Sequence, residues 1–105
     1  MSEVNALAME LAKKFITYLQ NQGIKIDSAY LFGSFAKGTE HKWSDIDIAI
    51  ISPDFAYNRF DERVRLMKLS YDIDTRIEPV PFRPERFIDE DPLAWEIKKT
   101  GYLLM

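Results

Sequence analysis

Two aspartates, Asp45 and Asp47, stand two residues apart where a polar segment gives way to the apolar run SDIDIAII. Side chains at positions i and i+2 of a strand point to the same face, so both carboxylates are expected to project side by side. Two like charges this close repel each other unless a cation lies between them. Magnesium is usually held by a few carboxylates together with substrate phosphates. The pair therefore indicates a magnesium site, although a loop end at Asp45 and a solvated edge residue at Asp47 remain the alternative.

The dipeptide Gly33-Ser34 follows directly after the apolar segment SAYLF, which we interpret as a strand. Glycine lets the backbone approach a phosphate closely and adopt positive φ angles. The following amides and the Ser34 hydroxyl can then donate to phosphate oxygens. An ordinary strand-to-helix turn is the alternative. Lys37 and Lys42, which lie between this turn and the aspartates, could neutralise phosphate charge or be solvated loop residues.

The spacing of these two motifs is more informative than either motif alone. Ten residues separate Ser34 from Asp45 in the segment GSFAKGTEHKWSDIDIAI. This segment resembles the signature of the polymerase-β-like nucleotidyltransferase superfamily. More narrowly, the chain resembles the minimal nucleotidyltransferases that are paired with HEPN proteins in prokaryotic toxin–antitoxin modules. The resemblance covers the chain from the first helix through the third strand, and it implies an α/β (α+β) fold with a small mixed sheet flanked by helices.

The resemblance also implies a third carboxylate on a later strand, for which Asp72, Asp74 and Glu78 are the candidates. Asp72 and Asp74 lie at a helix end and a junction, where acids are ordinarily solvated. Glu78 lies inside the strand-like run RIEPVPF, and burying an unpaired charge there is costly unless a cation is near. We therefore favour Glu78 over Asp74. Arg76 shares the strand face of Glu78 and could pair with it or contact phosphate.

The implied reaction transfers a nucleoside monophosphate, AMP from ATP or the equivalent part of another nucleoside triphosphate, to an acceptor hydroxyl. By resemblance, Asp45 and Asp47 hold one of two magnesium ions, and Glu78 shares the second. A pair of ions can clamp the attacking and leaving oxygens of an in-line displacement. Glu78 could also act as general base. Gly33 and Ser34 would hold the departing phosphates.

The acceptor is expected to come from another molecule. A chain of 105 residues predicts a single domain, 1–105, without a separate acceptor-binding domain. The resemblance implies that a HEPN-type toxin presents the hydroxyl, which makes the chain a protein adenylyltransferase and an antitoxin. One alternative is an antitoxin that acts by binding alone. Another is a small-molecule nucleotidyltransferase of the aminoglycoside type, for which a homodimer could build the acceptor site.

Composition excludes several other classes of protein. The net charge of −3 argues against sequence-independent nucleic-acid binding, which depends on Lys and Arg neutralising phosphates. The chain has no cysteine, so disulfides, thiolate zinc sites and cysteine nucleophiles are excluded. No leader-like start and no apolar run long enough to span a bilayer is evident. A cytoplasmic location without a membrane partner is therefore the expectation.

Periodicity and capping signals predict the elements that position these residues. An amphipathic helix is expected over 3–21, strands over 28–32, 46–51 and 75–82, and further helices over 57–72 and 92–100. The strand 46–51 is expected to be buried on both faces. Pro79 and Pro81 predict an edge strand, because proline donates no ladder hydrogen bond. Asp91 is expected to cap the last helix, and Phe60 and Tyr71 are expected on the buried stripe of the helix before it.

Overall fold

The computed structural model describes residues 3–39 and 44–105. In these residues, helices alternate with the strands of one mixed sheet. The helices are α1 (Glu3–Asn21), α2 (Ser34–Lys37), α3 (Arg59–Ser70) and α4 (Pro92–Thr100), with a 3-10 turn at Pro84–Arg86. The strands are β1 (Ser28–Phe32), β2 (Ile46–Ile51), β3 (Ile77–Phe82) and β4 (Tyr102–Leu103). The predicted bounds of α1, β1, β2 and α4 are confirmed.

The four strands lie in the order β3-β2-β1-β4. Strand β1 is antiparallel to both β2 and β4, whereas β2 and β3 are parallel. The sheet is therefore mixed, as expected. Strand β2 is central and is buried at every position except Asp47. Strand β3 occupies an edge of the sheet, as predicted. Pro79 and Pro81 have no N–H group to donate, and an edge strand tolerates this because it has a partner on only one side.

Helices cover both faces of the sheet. Ile46, Ile48 and Ile50 of β2 belong to the larger core, to which α1 contributes Phe15 and α3 contributes Leu66. The alternate residues of β2 face the other way, where Ala49 and Ile51 join a smaller core with Phe82 of β3 and with Ala94 and Ile97 of α4. Asp47 shares this second face, since side chains alternate along a strand.

The buried face of α3 differs from the prediction. The helix is shorter than 57–72, and Phe60 and Tyr71 are 73% and 55% exposed. Its buried residues are Glu62, Leu66 and Ser70, which are spaced four apart. The prediction was wrong because it followed the large aromatic side chains, whereas two of the three buried residues are polar. The buried polar ones are satisfied locally: Glu62 accepts from the Ala56 amide and pairs with Arg65, and the Ser70 hydroxyl donates to the carbonyl of Met67.

One strand boundary and one additional strand also differ from the sequence-based expectation. Strand β3 begins at Ile77 rather than at residue 75. The two-residue strand β4 was not predicted, because an element this short has no readable periodicity. It follows Gly101, which ends α4 as predicted, and it adds an antiparallel partner to β1.

We expect Asp91→Ala to lower the free energy of unfolding by about 1 kcal/mol. The Asp91 carboxylate accepts from the Leu93 and Ala94 amides at 2.9 and 3.1 Å and so caps α4, as predicted. Urea titration measures the loss. Asp89→Ala is the control, because the exposed ion pair that Asp89 forms with Lys98 should contribute little. An equal loss in both variants would contradict the capping role.

Candidate active site

Two of the predicted carboxylates, Asp47 and Glu78, lie on the same face of the sheet. In the parallel pairing of β2 with β3, Asp47 stands opposite Glu78. In the antiparallel pairing of β1 with β2, Phe32 stands opposite Asp47, so the strand end that leads into Gly33 lies beside it. Asp45 is exposed and precedes β2 by one residue. Neighbouring strands lie about 4.8 Å apart, which places the backbones at Asp47 and Glu78 at that spacing.

Gly33 is in direct contact with the Asp47 carboxylate. Its φ angle is +73°, and a Cβ atom on this residue would lie 2.1 Å from Oδ2 of Asp47. Both the backbone conformation and the space therefore require glycine. The Gly33 carbonyl accepts from the amides of Ala36 and Lys37, which starts α2. The predicted phosphate-binding turn and the predicted metal ligand thus lie against each other.

The pKa of Asp47 is raised to about 6, mainly because burial disfavours its charged form. The negative charges of Asp45 and Glu78 raise this pKa further, whereas the positive charge of Arg63 opposes the shift. The three carboxylates are therefore within electrostatic range of one another. They offer only oxygen ligands, which are the kind that magnesium prefers. Their chemistry fits the ion that the sequence predicts.

Their side chains do not converge on one point. Within residues 3–39 and 44–105, no group of three acidic, histidine or cysteine side chains is close enough to hold a metal ion. Glu78 is directed towards Arg63 of α3, with 3.4 Å between its Oε2 and the guanidinium Nη2. Glu78 is 28% and Arg63 51% exposed, so the contact is weak and screened by solvent. Coordination of one metal ion by all three carboxylates would therefore require their side chains to move closer together.

Asp74, the competing candidate for the third carboxylate, is occupied by Arg76. Its carboxylate accepts from Nε and Nη2 of Arg76, both at 3.0 Å, and from the Arg76 amide at 2.8 Å. These hydrogen bonds hold the pKa of Asp74 below its usual value. Arg76 thus pairs with Asp74 rather than with Glu78. Asp72 accepts from the Tyr18 hydroxyl at 3.0 Å. Of the three acids, Glu78 has the position beside Asp47.

Two lysines were considered as phosphate-neutralising residues, and the structure describes only one of them. Lys37 forms an ion pair with Glu96 of α4, with 2.6 Å between its Nζ and the carboxylate Oε1. Lys42 lies outside the described residues. Arg63 is the charged residue at this site that the sequence analysis missed, since that analysis considered only apolar residues of this helix. Its proximity to Glu78 depends on how α3 packs beside β3, which no local sequence signal reveals.

We expect Arg63→Gln to raise the pKa of Asp47 further, because the substitution removes a neighbouring positive charge that lowers it. Carboxyl NMR titration of the metal-free protein measures the shift directly. Lys68→Gln removes the same charge from the same helix and serves as the matched control. A similar shift in both variants would show that Arg63 acts only through the net charge of the protein.

Comparison with known proteins places this geometry in a family. Residues 13–105 match the family model described as "Polymerase beta, Nucleotidyltransferase". The chain belongs to this family. The predicted superfamily and the predicted fold are thereby confirmed.

Individual relatives point to one group of proteins within this family. The chain is 46% identical over 41 residues to the protein adenylyltransferase MntA of Shewanella oneidensis, a match that spans 39% of this chain and 30% of that relative. Among solved structures, it resembles a mutant of the toxin–antitoxin pair MntA–HpeT, with a TM-score of 0.65 and 30% identity over 88% of this chain and 70% of the other. A toxin–antitoxin structure with AMP-PNP gives a TM-score of 0.63 and 28% identity, covering 89% and 72% of the two chains.

These similarities confirm the narrower resemblance to minimal nucleotidyltransferases of toxin–antitoxin pairs. In the described part of the nucleotidyltransferase, no helix has the length and apolarity needed to cross a bilayer.

Proposed function

We propose that this nucleotidyltransferase transfers AMP from ATP to a hydroxyl group of a partner protein, and that the partner is a HEPN-type toxin. The adenylyltransferase relative and the AMP-PNP complex support the choice of AMP. The toxin–antitoxin neighbours support the choice of partner. We further propose that residues 1–105 act as one cytoplasmic domain that neutralises its partner by this modification.

The observation that carries the proposal is the placement of Asp47 between the Gly33 backbone and the parallel neighbour Glu78. In the proposed site, Asp45 and Asp47 hold magnesium, and Glu78 joins them when the three side chains move closer together. When bound, magnesium polarises phosphoryl oxygens and lowers the pKa of an attacking hydroxyl. The backbone at Gly33 and the hydroxyl of Ser34 donate to the departing phosphates.

Glu78 is the proposed general base. It removes the proton of the acceptor hydroxyl while the hydroxyl oxygen forms a bond to the α-phosphorus of ATP. The bond from the α-phosphorus to the bridging oxygen breaks, and pyrophosphate leaves with that oxygen. The acceptor retains AMP as a phosphodiester, and the proton resides on Glu78 until solvent removes it.

The test is incubation of the nucleotidyltransferase with its cognate partner, magnesium and ATP labelled on either the α- or the γ-phosphate. AMP transfer predicts that the partner gains the α label and not the γ label. GTP labelled on the α-phosphate tests the choice of nucleotide. No α label on the partner, in a sample where the complex of the two proteins forms, would refute the catalytic proposal.

A second candidate function is neutralisation by binding alone. The observation that favours it is the direction of Glu78, which contacts Arg63 instead of converging with the two aspartates. Asp47→Asn distinguishes the candidates in cells that produce the partner. If catalysis neutralises the partner, this variant loses protection while it still forms the complex. If binding is sufficient, it protects as the parent chain does.

A further inference from the structure

A cavity of about 250 Å³ lies at the end of the sheet opposite the carboxylates. Strands β2 and β3 run parallel, with Asp47 and Glu78 near their beginnings, whereas Phe82 at the end of β3 lines the cavity. The strand rises by about 3.3 Å per residue, so the four steps from Glu78 to Phe82 correspond to a distance of about 13 Å. The cavity is therefore distinct from the candidate active site.

The lining of this cavity is rich in arginine. Arg59, Arg83 and Arg86 line it, together with the acids Glu62 and Asp91. Both acids already accept from other groups: Glu62 from the Ala56 amide and Arg65, and Asp91 from the first amides of α4. In the described segments, neither Arg59 nor Arg86 takes part in an ion pair. With three arginines against two acids, the net charge of the lining is positive.

Arg83 is held in a fixed position. Its guanidinium donates to the carbonyls of Pro53 and Phe55 and to the Glu85 carboxylate, and its side chain is only 21% exposed. Arg83 also lies over the ring of Tyr57, 4.4 Å from the ring centre. The anchored guanidinium thereby supports one face of the Tyr57 ring at the cavity.

Aromatic rings provide the apolar part of the lining. Phe55 and Phe82 are almost fully buried, whereas Tyr57 is 82% exposed at the cavity. Arg59 lies over the Phe82 ring, 4.4 Å from its centre. A guanidinium stacked by its face keeps N–H groups at its edge, which match the oxygens of a phosphate. Flat rings beside such donors suit a ligand that joins a phosphate to a planar group.

We propose that this cavity binds a small organic phosphate with a flat ring, of which a nucleoside monophosphate is the simplest example. Arg59 and Arg86 contact the phosphate, and Tyr57 contacts the ring. The cavity is smaller than the usual range for drug-sized ligands, which favours a compact molecule over a peptide segment. The proposal does not depend on nucleotidyl transfer, because it uses none of the residues at Asp45, Asp47 or Glu78.

The test is titration of the protein with AMP in EDTA, followed by backbone amide NMR shifts. We expect saturable shifts at Ala56, Tyr57 and Arg86, retained in Asp47→Asn. The double variant Arg59→Ala with Arg86→Ala should weaken AMP binding at least about tenfold, since each arginine donates charge-assisted hydrogen bonds. Lys13→Ala with Lys14→Ala removes the same charge from α1 and should leave the affinity unchanged.

Titrations with adenosine and with inorganic phosphate measure how much the ring and the phosphate each contribute to binding. Adenosine alone should not saturate the cavity, and inorganic phosphate should bind more weakly than AMP because it lacks the stacking ring. The absence of saturable shifts in the cavity, or shifts confined to Gly33 and Asp47, would overturn the proposal. So would equal weakening in the arginine and lysine variants, or equal affinity for AMP and phosphate.

Discussion

Gly33→Ala is expected to destabilise the fold and to eliminate nucleotidyl transfer in one step. The added Cβ would lie 2.1 Å from Oδ2 of Asp47, and φ at this position is +73°. The disfavoured backbone conformation alone costs about 1–3 kcal/mol. The clash adds to this cost by pushing the Asp47 carboxylate out of place. Because a displacement of about 1 Å can cost about 100-fold in rate, we expect at least that loss of transfer activity.

Gly38→Ala is the control for alanine at a glycine of positive φ without a side-chain clash; ψ differs, with -145° at Gly33 and 19° at Gly38. Gly38 also has a φ angle of +73°, but an added Cβ there would meet nothing within 4 Å. This variant should therefore lose only the conformational part of the stability, about 1–2 kcal/mol, and should retain transfer activity. Chemical denaturation and the α-label assay give both quantities for both variants.

A double-mutant cycle isolates the contact between the turn and the strand. In an Asp47→Ala background the carboxylate is absent, so Gly33→Ala should then cost only the conformational part of its loss in stability. The difference between the two backgrounds is the coupling free energy of the contact. If Gly33→Ala costs the same with and without the carboxylate, the contact between Gly33 and Asp47 is not the cause of the instability.

Much of the framework was predictable because its signals are local. Strand β2 could be read from its β-branched run, and α4 from Asp91 before it and Gly101 after it. Edge placement of β3 followed from Pro79 and Pro81, whose missing N–H groups disfavour a central position. Each of these inferences uses residues within one element, where backbone chemistry decides the outcome.

The remaining features depend on contacts between distant elements. Placing Glu78 on a strand was possible, but the register that sets it opposite Asp47 comes from the pairing of β2 with β3. The contact of Arg63 with Glu78 depends on the rotation of α3, and that rotation was wrongly predicted from the apolar positions of Phe60 and Tyr71. The close approach of Gly33 to Asp47 likewise requires two elements whose relative placement the sequence does not encode locally.

Asp47→Asn is expected to stabilise the metal-free protein at neutral pH while it removes catalysis. The pKa of Asp47 is raised from 3.8 to about 6, so folding favours its protonated form. The contribution to stability is thus complete below the unfolded pKa and is lost as pH rises through about 6. A shift of about two units corresponds to about 3 kcal/mol. Because the side chain is only half buried and solvent screens it, we expect a gain of about 1–2 kcal/mol at pH 7.5.

Urea denaturation in EDTA at pH 5 and pH 7.5 measures this effect, with a larger gain expected at the higher pH. Asp74→Asn is the control of opposite sign, because Arg76 holds the pKa of Asp74 below its usual value. Its carboxylate stabilises the fold above the unfolded pKa, and that contribution is lost as pH falls through the lower folded value, so Asp74→Asn should destabilise the protein at pH 7.5. Adding magnesium should raise the stability of the parent chain more than that of Asp47→Asn, since only the parent carries both aspartates. Equal stability of the parent and Asp47→Asn at both pH values, with the same response to magnesium, would show that Asp47 is neither electrostatically strained nor a metal ligand.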